Sequence, residues 1–352
     1  MSERGGFDLS QLISMWFKWF LLVFMLLLGG SVTAASVPTL SNVITLLRLE
    51  HDVVADLEQG KIVTFAVQES TRKELAVGLA TYLPSSPTKL ADFFKLGDFI
   101  GIDPDVLVFG EIFPHAGIDT FQHFSFAPKQ SDEVQNLLAA EHEEFNLSAD
   151  EISRFVSLNG QLSDLDRVNL TEVVSQRYRQ VLWQRWQAYY NQGLSGVAPY
   201  VRGNGKVDTG EELRLLADNN ALLALLSPAL KKAWLSYPSH FPQEAIERFL
   251  WLNREVNGRP AAILSHRVLY TADSISMIVS RHFFVGHSYN AGQMVLACLP
   301  HREGMIVFYI QQTSTDKVTG LGSSLKRGVG RMRIKQQMIK NLERMRAAMQ
   351  SY

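Results

Sequence analysis

The last hundred residues of this 352-residue chain constrain its fold most. Four stretches there alternate apolar and polar residues with a period of two, and they are rich in β-branched and aromatic residues, as half-buried strands are. They are residues 261–271, 276–284, 293–299 and 305–313, and a long helix over about 323–350 follows them. The breaks between them suit antiparallel connections. A terminal helix laid on an antiparallel sheet buries one face of each element, so the pattern predicts an α+β fold.

Two more strands are predicted in the first third of the chain. Residues 75–83 alternate with the same period and end at Pro84. A short helix over 88–96 and a strand over 106–112 follow. We expect strand 75–83 to pair with the C-terminal strands, because its alternating apolar face would otherwise have no partner sheet.

The middle of the chain, residues 131–256, has a helical pattern instead. Ser148 and Glu151 form a capping box at the start of one of its helices. Its other predicted parts are a long helix over 170–191, a glycine-rich loop over 193–210, and helices near 210–235 and 243–256. We therefore expect residues 35–352 to form a single α+β domain into which 131–256 are inserted as a helical block.

The N-terminal segment has the features of an export signal. Residues 19–28 are an unbroken apolar run, and the small residues Val32 and Ala34 after it suit cleavage after Ala34. The alternative is a retained inner-membrane anchor over residues 16–35, interrupted only by one lysine that can snorkel. Residues 1–34 are thus predicted to be a signal peptide or an anchor. The rest of the chain is expected in the periplasm or outside the cell.

Composition excludes several classes of partner and site. The formal net charge is −1, so no global field attracts the protein to nucleic acid, and we expect no nucleic-acid partner. The only cysteine, Cys298, excludes an intramolecular disulfide and a cysteine-based zinc cluster. His282 and His287 differ by an odd number and face opposite sides of an unbroken strand, so we predict no metal site and no cofactor.

The order of the elements carries a resemblance. In chain order the elements are a strand, a helix, a strand, the helical block, the strand meander and the terminal helix. This order resembles the START-like helix-grip fold, with the helical block inserted. The strand, proline and helix of residues 75–96 belong to this resemblance. It implies a sheet curled around the terminal helix, with a cavity for a lipid or another apolar ligand between them.

A second resemblance rests on local sequence. It covers the stretch 281–291, the strand that follows, and Asp316 and Gly320, which lead into a basic helix. This part of the chain is similar to an uncharacterised family of bacterial exported proteins. The segments 75–110 and 189–193 fit the same family. Some members of that family carry paired cysteines in the middle third, where this chain has none. The family implies no activity, so no catalytic residue is transferred from it.

The candidate ligand site lies where a C-terminal strand breaks and where the terminal helix begins. We expect side chains beside the break to face the mouth of a cavity. We also expect Val329 and Met332 to face the sheet, with glycines beside them leaving room for a ligand. The predicted ligand-binding residues are Arg281, His287, Tyr289, Val329, Gly330 and Met332.

The terminal helix is strongly basic. Residues 326–346 contain eight lysines and arginines against the single acid Glu343. One interpretation is an amphipathic helix packed on the core with a solvated basic face. The other is contact with an anionic membrane surface.

Three functions remain open from the sequence. The first is the binding of a lipid or other apolar ligand, suggested by the element order, the phenylalanine-rich segment 113–126 and the basic helix. The second is a structural or interaction role in the cell envelope, with the helical block as the docking surface. The third is a hydrolase with an unrecognised site at His287 and Asp316, although no Gly-x-Ser-x-Gly nucleophile motif occurs.

Overall fold

The computed structural model of this protein is built around an eight-stranded antiparallel sheet. The predicted C-terminal meander forms the centre of that sheet. The structure describes residues 37–50, 52–95, 103–127, 130–139, 144–162, 167–203 and 205–351. The predicted export segment, 1–34, lies outside them. Among the residues that are described, no helix combines the length and apolar character that a membrane span requires.

The described residues form ten strands. They are β1 (Val63–Phe65), β2 (Glu74–Leu83), β3 (Val106–Ile112), β4 (Tyr200–Arg202), β5 (Gly205–Val207), β6 (Ala245–Val256), β7 (Arg259–Ala272), β8 (Ile275–Val285), β9 (Ala291–His301) and β10 (Gly304–Ser314). The large sheet has the order β1-β2-β10-β9-β8-β7-β6-β3, and β4 and β5 form a separate hairpin. Strands β6 to β10 are therefore neighbours in both sequence and space.

The α-helices in the described ranges surround this sheet. They are α1 (Leu40–Leu46), α2 (Val53–Glu58), α3 (Pro87–Lys95), α4 (Ser131–Ala139), α5 (Ala149–Asn159), α6 (Arg167–Gln192), α7 (Thr209–Asp218), α8 (Ala221–Leu226), α9 (Pro228–Leu235) and α10 (Ser323–Ser351). The predicted capping box opens α5, where Ser148 accepts from the backbone of Glu151 and Glu151 accepts from that of Ser148. The α+β class, with an antiparallel sheet packed on a long C-terminal helix and a large helical insertion, is confirmed.

The predicted pairing of strand 75–83 with the C-terminal strands is also confirmed. Strand β2 pairs with β10 from Leu75 opposite Thr313 to Leu83 opposite Met305. This pairing joins the first third of the chain to the last, so the two strand-bearing regions share one sheet.

The predicted boundary of the helical block is wrong at its C-terminal end. Residues 245–256 form strand β6 and not a helix, and the last helix before it ends at Leu235. Both faces of β6 are covered: Phe249 and Trp251 pack in one cluster, and Leu250 and Leu252 pack in another. A strand buried on both sides shows no alternation, so its apolar run resembles a helical one. The predicted loop 193–210 also contains the β4–β5 hairpin.

The two faces of the sheet have different covers. The insertion face, defined by Phe249, Leu264, Val268, Val279, Val295 and Phe308, packs against α1, α2 and the helices of the insertion. The helix face, defined by Leu79, Leu269, Ile278, Leu296 and Val307, packs against α3 and the C-terminal half of α10. Met338, Leu342, Met345 and Met349 are the buried residues of α10. The N-terminal half of α10 therefore contributes little to the core.

Candidate functional site

A cavity of about 360 Å³ lies on the helix face, beside the middle of α10. The apolar part of its wall includes Leu252, Ile263 and Met294 from the sheet and Ile334 and Met338 from α10. Residues of α10 after Met338 pack directly on the sheet, so the cavity occupies the part of the interface that the helix leaves unfilled. This volume falls in the range of roughly 300–1,000 Å³ that is typical of small-molecule sites.

A histidine and a tyrosine form a hydrogen-bonded pair in the cavity wall. The Nδ1 atom of His282 lies 2.9 Å from the Tyr289 hydroxyl. Burial, with the nearby charges of Arg254 and Arg267, lowers the pKa of His282 to about 3. Burial raises the pKa of Tyr289 above its ordinary value. At neutral pH the pair is therefore uncharged and presents polar atoms without adding a charge to the cavity.

Two arginines of the wall differ in their electrostatic surroundings. Arg254 forms ion pairs with Asp103 at 3.1 Å and with Asp105 at 3.2 Å. Arg267 is 8% exposed, and burial together with the like charge of Arg248 lowers its pKa to about 10. Arg267 thus keeps its positive charge at neutral pH although it is buried.

Of the six predicted ligand residues, one lines this cavity and the other five do not. Tyr289 lines it, and His282 lies where His287 was expected. His287 is buried elsewhere: its Nε2–H donates to the carbonyl of Pro260 at 3.0 Å, so its Nδ1 accepts from the Ser288 hydroxyl at 2.6 Å. Burial lowers the pKa of His287 to about 4, which leaves it neutral.

Arg281 belongs to the opposite side of the sheet. Its guanidinium lies 3.6 Å above the ring of Trp234 and donates to the Trp234 carbonyl on the insertion face. Residues 281 and 282 are neighbours in β8, so their side chains point to opposite faces. Arg281 therefore does not line this cavity.

The predicted geometry of the start of α10 is wrong. Val329 and Met332 are exposed and do not face the sheet. Gly330 does approach it, but a Cβ built there would lie 2.6 Å from Cδ1 of Leu75. The glycine allows close packing of helix and strand and leaves no room for a ligand. The open space begins one turn later, at Arg333 and Ile334.

His287 and Asp316, the pair named for a hydrolase, have separate partners. Asp316 contacts Lys73 at 2.7 Å, Arg202 at 3.4 Å and Asn290 at 3.2 Å in an open polar cleft of about 630 Å³. Burial opposes ionisation of Asp316, but Lys73, Asn290 and Arg202 more than offset it and lower the pKa of the carboxyl. The carboxylate is thus held in ion pairs with Lys73 and Arg202. The pair with Arg202 joins the β4–β5 hairpin to the segment just after β10.

Sequence reasoning missed most of the cavity wall, including its polar residues Arg254, Arg267 and His282. Strand parity could have found His282, since it shares a face with Ile278 and Ser280 of β8. The predicted helix over 243–256 hid Arg254. In the described ranges, no group of three or more histidines, cysteines or acids is arranged to hold a metal ion.

Comparison with known proteins gives little further information. No family model matches this chain, and no curated protein matches it. Among solved structures, the crystal structure of Ara h 8.0201 is similar over 40% of this chain and 87% of that one, with 10% identity and a TM-score of 0.21.

Proposed function

We propose that this protein is a binding module for one small amphipathic molecule, which it holds in the cavity between the helix face and α10. The observation that carries the proposal is the mixed wall of a cavity of about 360 Å³. Its aliphatic and methionine side chains suit an apolar chain. The neutral His282–Tyr289 pair and the buried charge of Arg267 suit a polar or acidic head group.

The proposal includes a START-like architecture and an exported location. A sheet that holds a ligand against its terminal helix is the helix-grip arrangement. The apolar run of residues 19–28, followed by Val32 and Ala34, supports export to the periplasm. N-terminal sequencing of the protein from its periplasmic fraction tests this point. A start at Ala35 is expected, whereas a start at Met1 in the membrane fraction would favour the anchor.

An interaction role of the insertion is less well supported. That role calls for an exposed apolar patch on the insertion. Among the described residues between 131 and 244, Val156 is the one large apolar side chain that is more than half exposed. Isolated exposed side chains of this kind are ordinary on soluble proteins. We therefore favour ligand binding over docking through the insertion.

A titration with a fluorescent fatty acid tests ligand binding. Met294→Trp places a larger side chain in the cavity wall, and it is expected to weaken binding by at least about tenfold through steric exclusion. Ile246→Trp is the matched control, because Ile246 is exposed on β6 and does not line the cavity. Thermal unfolding verifies that both variants fold. A folded Met294→Trp protein with unchanged affinity would refute the cavity as the site.

A further inference from the structure

The start of α10 carries a second apolar surface that faces away from the sheet. Leu325, Val329 and Met332 follow each other at spacings of four and three residues, so they form one stripe along the helix. They are 74%, 37% and 51% exposed. An apolar stripe on a helix normally marks the side that packs against another surface.

A fourth exposed apolar residue lies just before the helix. Leu321 is 96% exposed and lies between Gly320 and Gly322, which have φ angles of +75° and +71°. Only glycine adopts this left-handed conformation readily, so the local backbone holds a leucine out at the tip of a turn. We call Leu321, Leu325, Val329 and Met332 the docking stripe.

Cations flank the docking stripe without neutralising partners. Lys326, Arg333, Lys335 and Lys340 are exposed, and none of the ion pairs among the described residues includes them. By contrast, Arg327 and Arg331 of the same helix turn inward and bind Glu69. The outer side of the helix therefore combines exposed apolar groups with uncompensated positive charge.

This combination matches the surface of an anionic lipid bilayer. Apolar side chains on one strip of a helix enter the boundary between head groups and acyl chains, and lysines and arginines beside them contact anionic head groups. We infer that the docking stripe binds this protein to an anionic phospholipid membrane. Arg333 lines the ligand cavity and follows Met332 in sequence, so docking would bring the cavity close to the lipid.

This inference goes beyond ligand binding and does not depend on it. A local probe separates the stripe from any contribution of the N-terminal segment. Leu325→Cys introduces a thiol for an environment-sensitive nitrobenzoxadiazole label, and the native Cys298 does not compete because it is buried and burial raises the pKa of its thiol. Val156→Cys on the insertion is the matched control, since Val156 is also an exposed apolar residue.

The labelled full chain is mixed with vesicles of phosphatidylglycerol and phosphatidylethanolamine, or with vesicles of phosphatidylcholine alone. The label at residue 325 is expected to shift to shorter wavelength on the anionic vesicles, and this shift should weaken in high salt. The label at residue 156 should not respond. No shift at 325, or an equal shift on phosphatidylcholine, would overturn the inference.

Charge removal provides a second readout. Lys335→Gln and Lys340→Gln leave the stripe intact, and each is expected to lower the partition coefficient on anionic vesicles about fivefold, because a cation near such a surface contributes about that much. Fatty-acid binding without vesicles should be unchanged, because neither residue lines the cavity. Unchanged partition of the double variant would contradict membrane docking and leave the ligand-binding proposal standing.

Discussion

At strands β7 and β8, the two faces of the sheet differ in how completely they are filled. On the insertion face, aromatic rings from helices and strands stack closely: the rings of Tyr189 and Phe283 have centroids 3.9 Å apart and planes 9° apart. On the helix face, α10 and the short α3 supply mainly leucines, phenylalanines and methionines. A cavity remains there beside Met294 and Met338. These strands thus have a closely packed core on one side and a cavity on the other.

The polar groups buried on the two faces have different surroundings. On the insertion face several of them hydrogen-bond to one another: Gln312 donates to Glu74, Asn220 donates to Gln312, and Trp234 donates to Gln293. On the helix face, the hydrogen-bonded His282 and Tyr289 and the ion-paired Arg254 border the cavity. Polar groups that border a cavity can also hydrogen-bond to a molecule inside it.

The largest expected effect comes from truncating the filled face. Phe283→Ala removes a ring that is fully buried and stacked on Tyr189. The free energy of unfolding should fall by about 3–5 kcal/mol, because the transfer free energy of the ring is lost and a cavity is left. Chemical denaturation measures this change.

The matched truncation on the helix face is Met294→Ala. Met294 already borders open space, so its removal enlarges an existing cavity and should reduce the free energy of unfolding by less than about 2 kcal/mol. Equal losses for the two variants would mean that the helix face is packed as tightly as the insertion face.

Two glycines of α10 allow a packed position and an open position to be compared within one helix. A Cβ at Gly330 would contact Leu75, whereas a Cβ at Gly328 meets nothing within 4 Å. Both Gly→Leu changes favour the helix by up to about 1 kcal/mol, but only the change at residue 330 overpacks the contact with β2. Gly330→Leu should therefore be less stable than Gly328→Leu by about 1–3 kcal/mol in thermal unfolding. Equal stability would mean that α10 does not approach β2 so closely.

The third expected effect is a pH dependence of the free energy of unfolding, which arises from His266 on the insertion face. Burial lowers the pKa of His266 to about 4, while an unfolded chain has a histidine pKa of about 6.5. The unfolded state therefore binds more protons between these values. The contribution of His266 to stability is complete above pH ~6.5 and is lost as the pH falls toward 4, at up to about 1.4 kcal/mol per pH unit.

The variant His266→Gln tests this slope. It should lower the dependence of the unfolding free energy on pH between about 6.5 and 4, whatever its effect on absolute stability. His282→Gln should reduce the slope in the same way from the helix face, because the pKa of His282 is lowered to about 3. An unchanged slope in both variants would show that these imidazoles are not held neutral.

The smallest expected effect concerns the polar pair of the cavity. Tyr289→Phe removes the hydroxyl that contacts His282 and leaves the ring in place. One such hydrogen bond contributes about 1 kcal/mol, so stability and fatty-acid affinity should each change by no more than that. Titration and denaturation of the same preparation measure both. A much larger loss of affinity would mean that the hydroxyl contacts the ligand directly.

Strand alternation and the terminal helix allowed most of the sheet to be predicted. The exception is β6, where the apolar run from Phe249 to Leu252 has no period because both of its faces are covered. A turn signal nevertheless follows it: Asn257 and Gly258 connect β6 to β7 with φ angles of 55° and 77°. Asparagine followed by glycine between apolar runs is a strong hairpin signal, and it would have favoured a strand before it.

The site was less predictable because orientation depends on tertiary packing. Leu325, Val329 and Met332 have the spacing of a buried stripe, but the face of α10 that packs is set by Met338, Leu342 and later residues. Likewise, a bulge at Phe283 shifts the register between β7 and β8, and β8 ends before His287. A single sequence indicates that a helix has two apolar surfaces but not which of them meets the sheet.

The position of the insertion between β3 and β6 bears on how the chain assembles. Ile112 and Phe249 are partners across these strands, so everything from residue 113 to 248 forms one loop that begins and ends at adjacent positions. Closing such a loop in place of a two-residue hairpin costs about 4 kcal/mol of entropy, since each doubling of length adds only about 0.6 kcal/mol. Burial of apolar side chains inside the insertion offsets this entropic cost. A segment attached in this way can be lengthened or replaced through evolution while the rest of the sheet keeps its register.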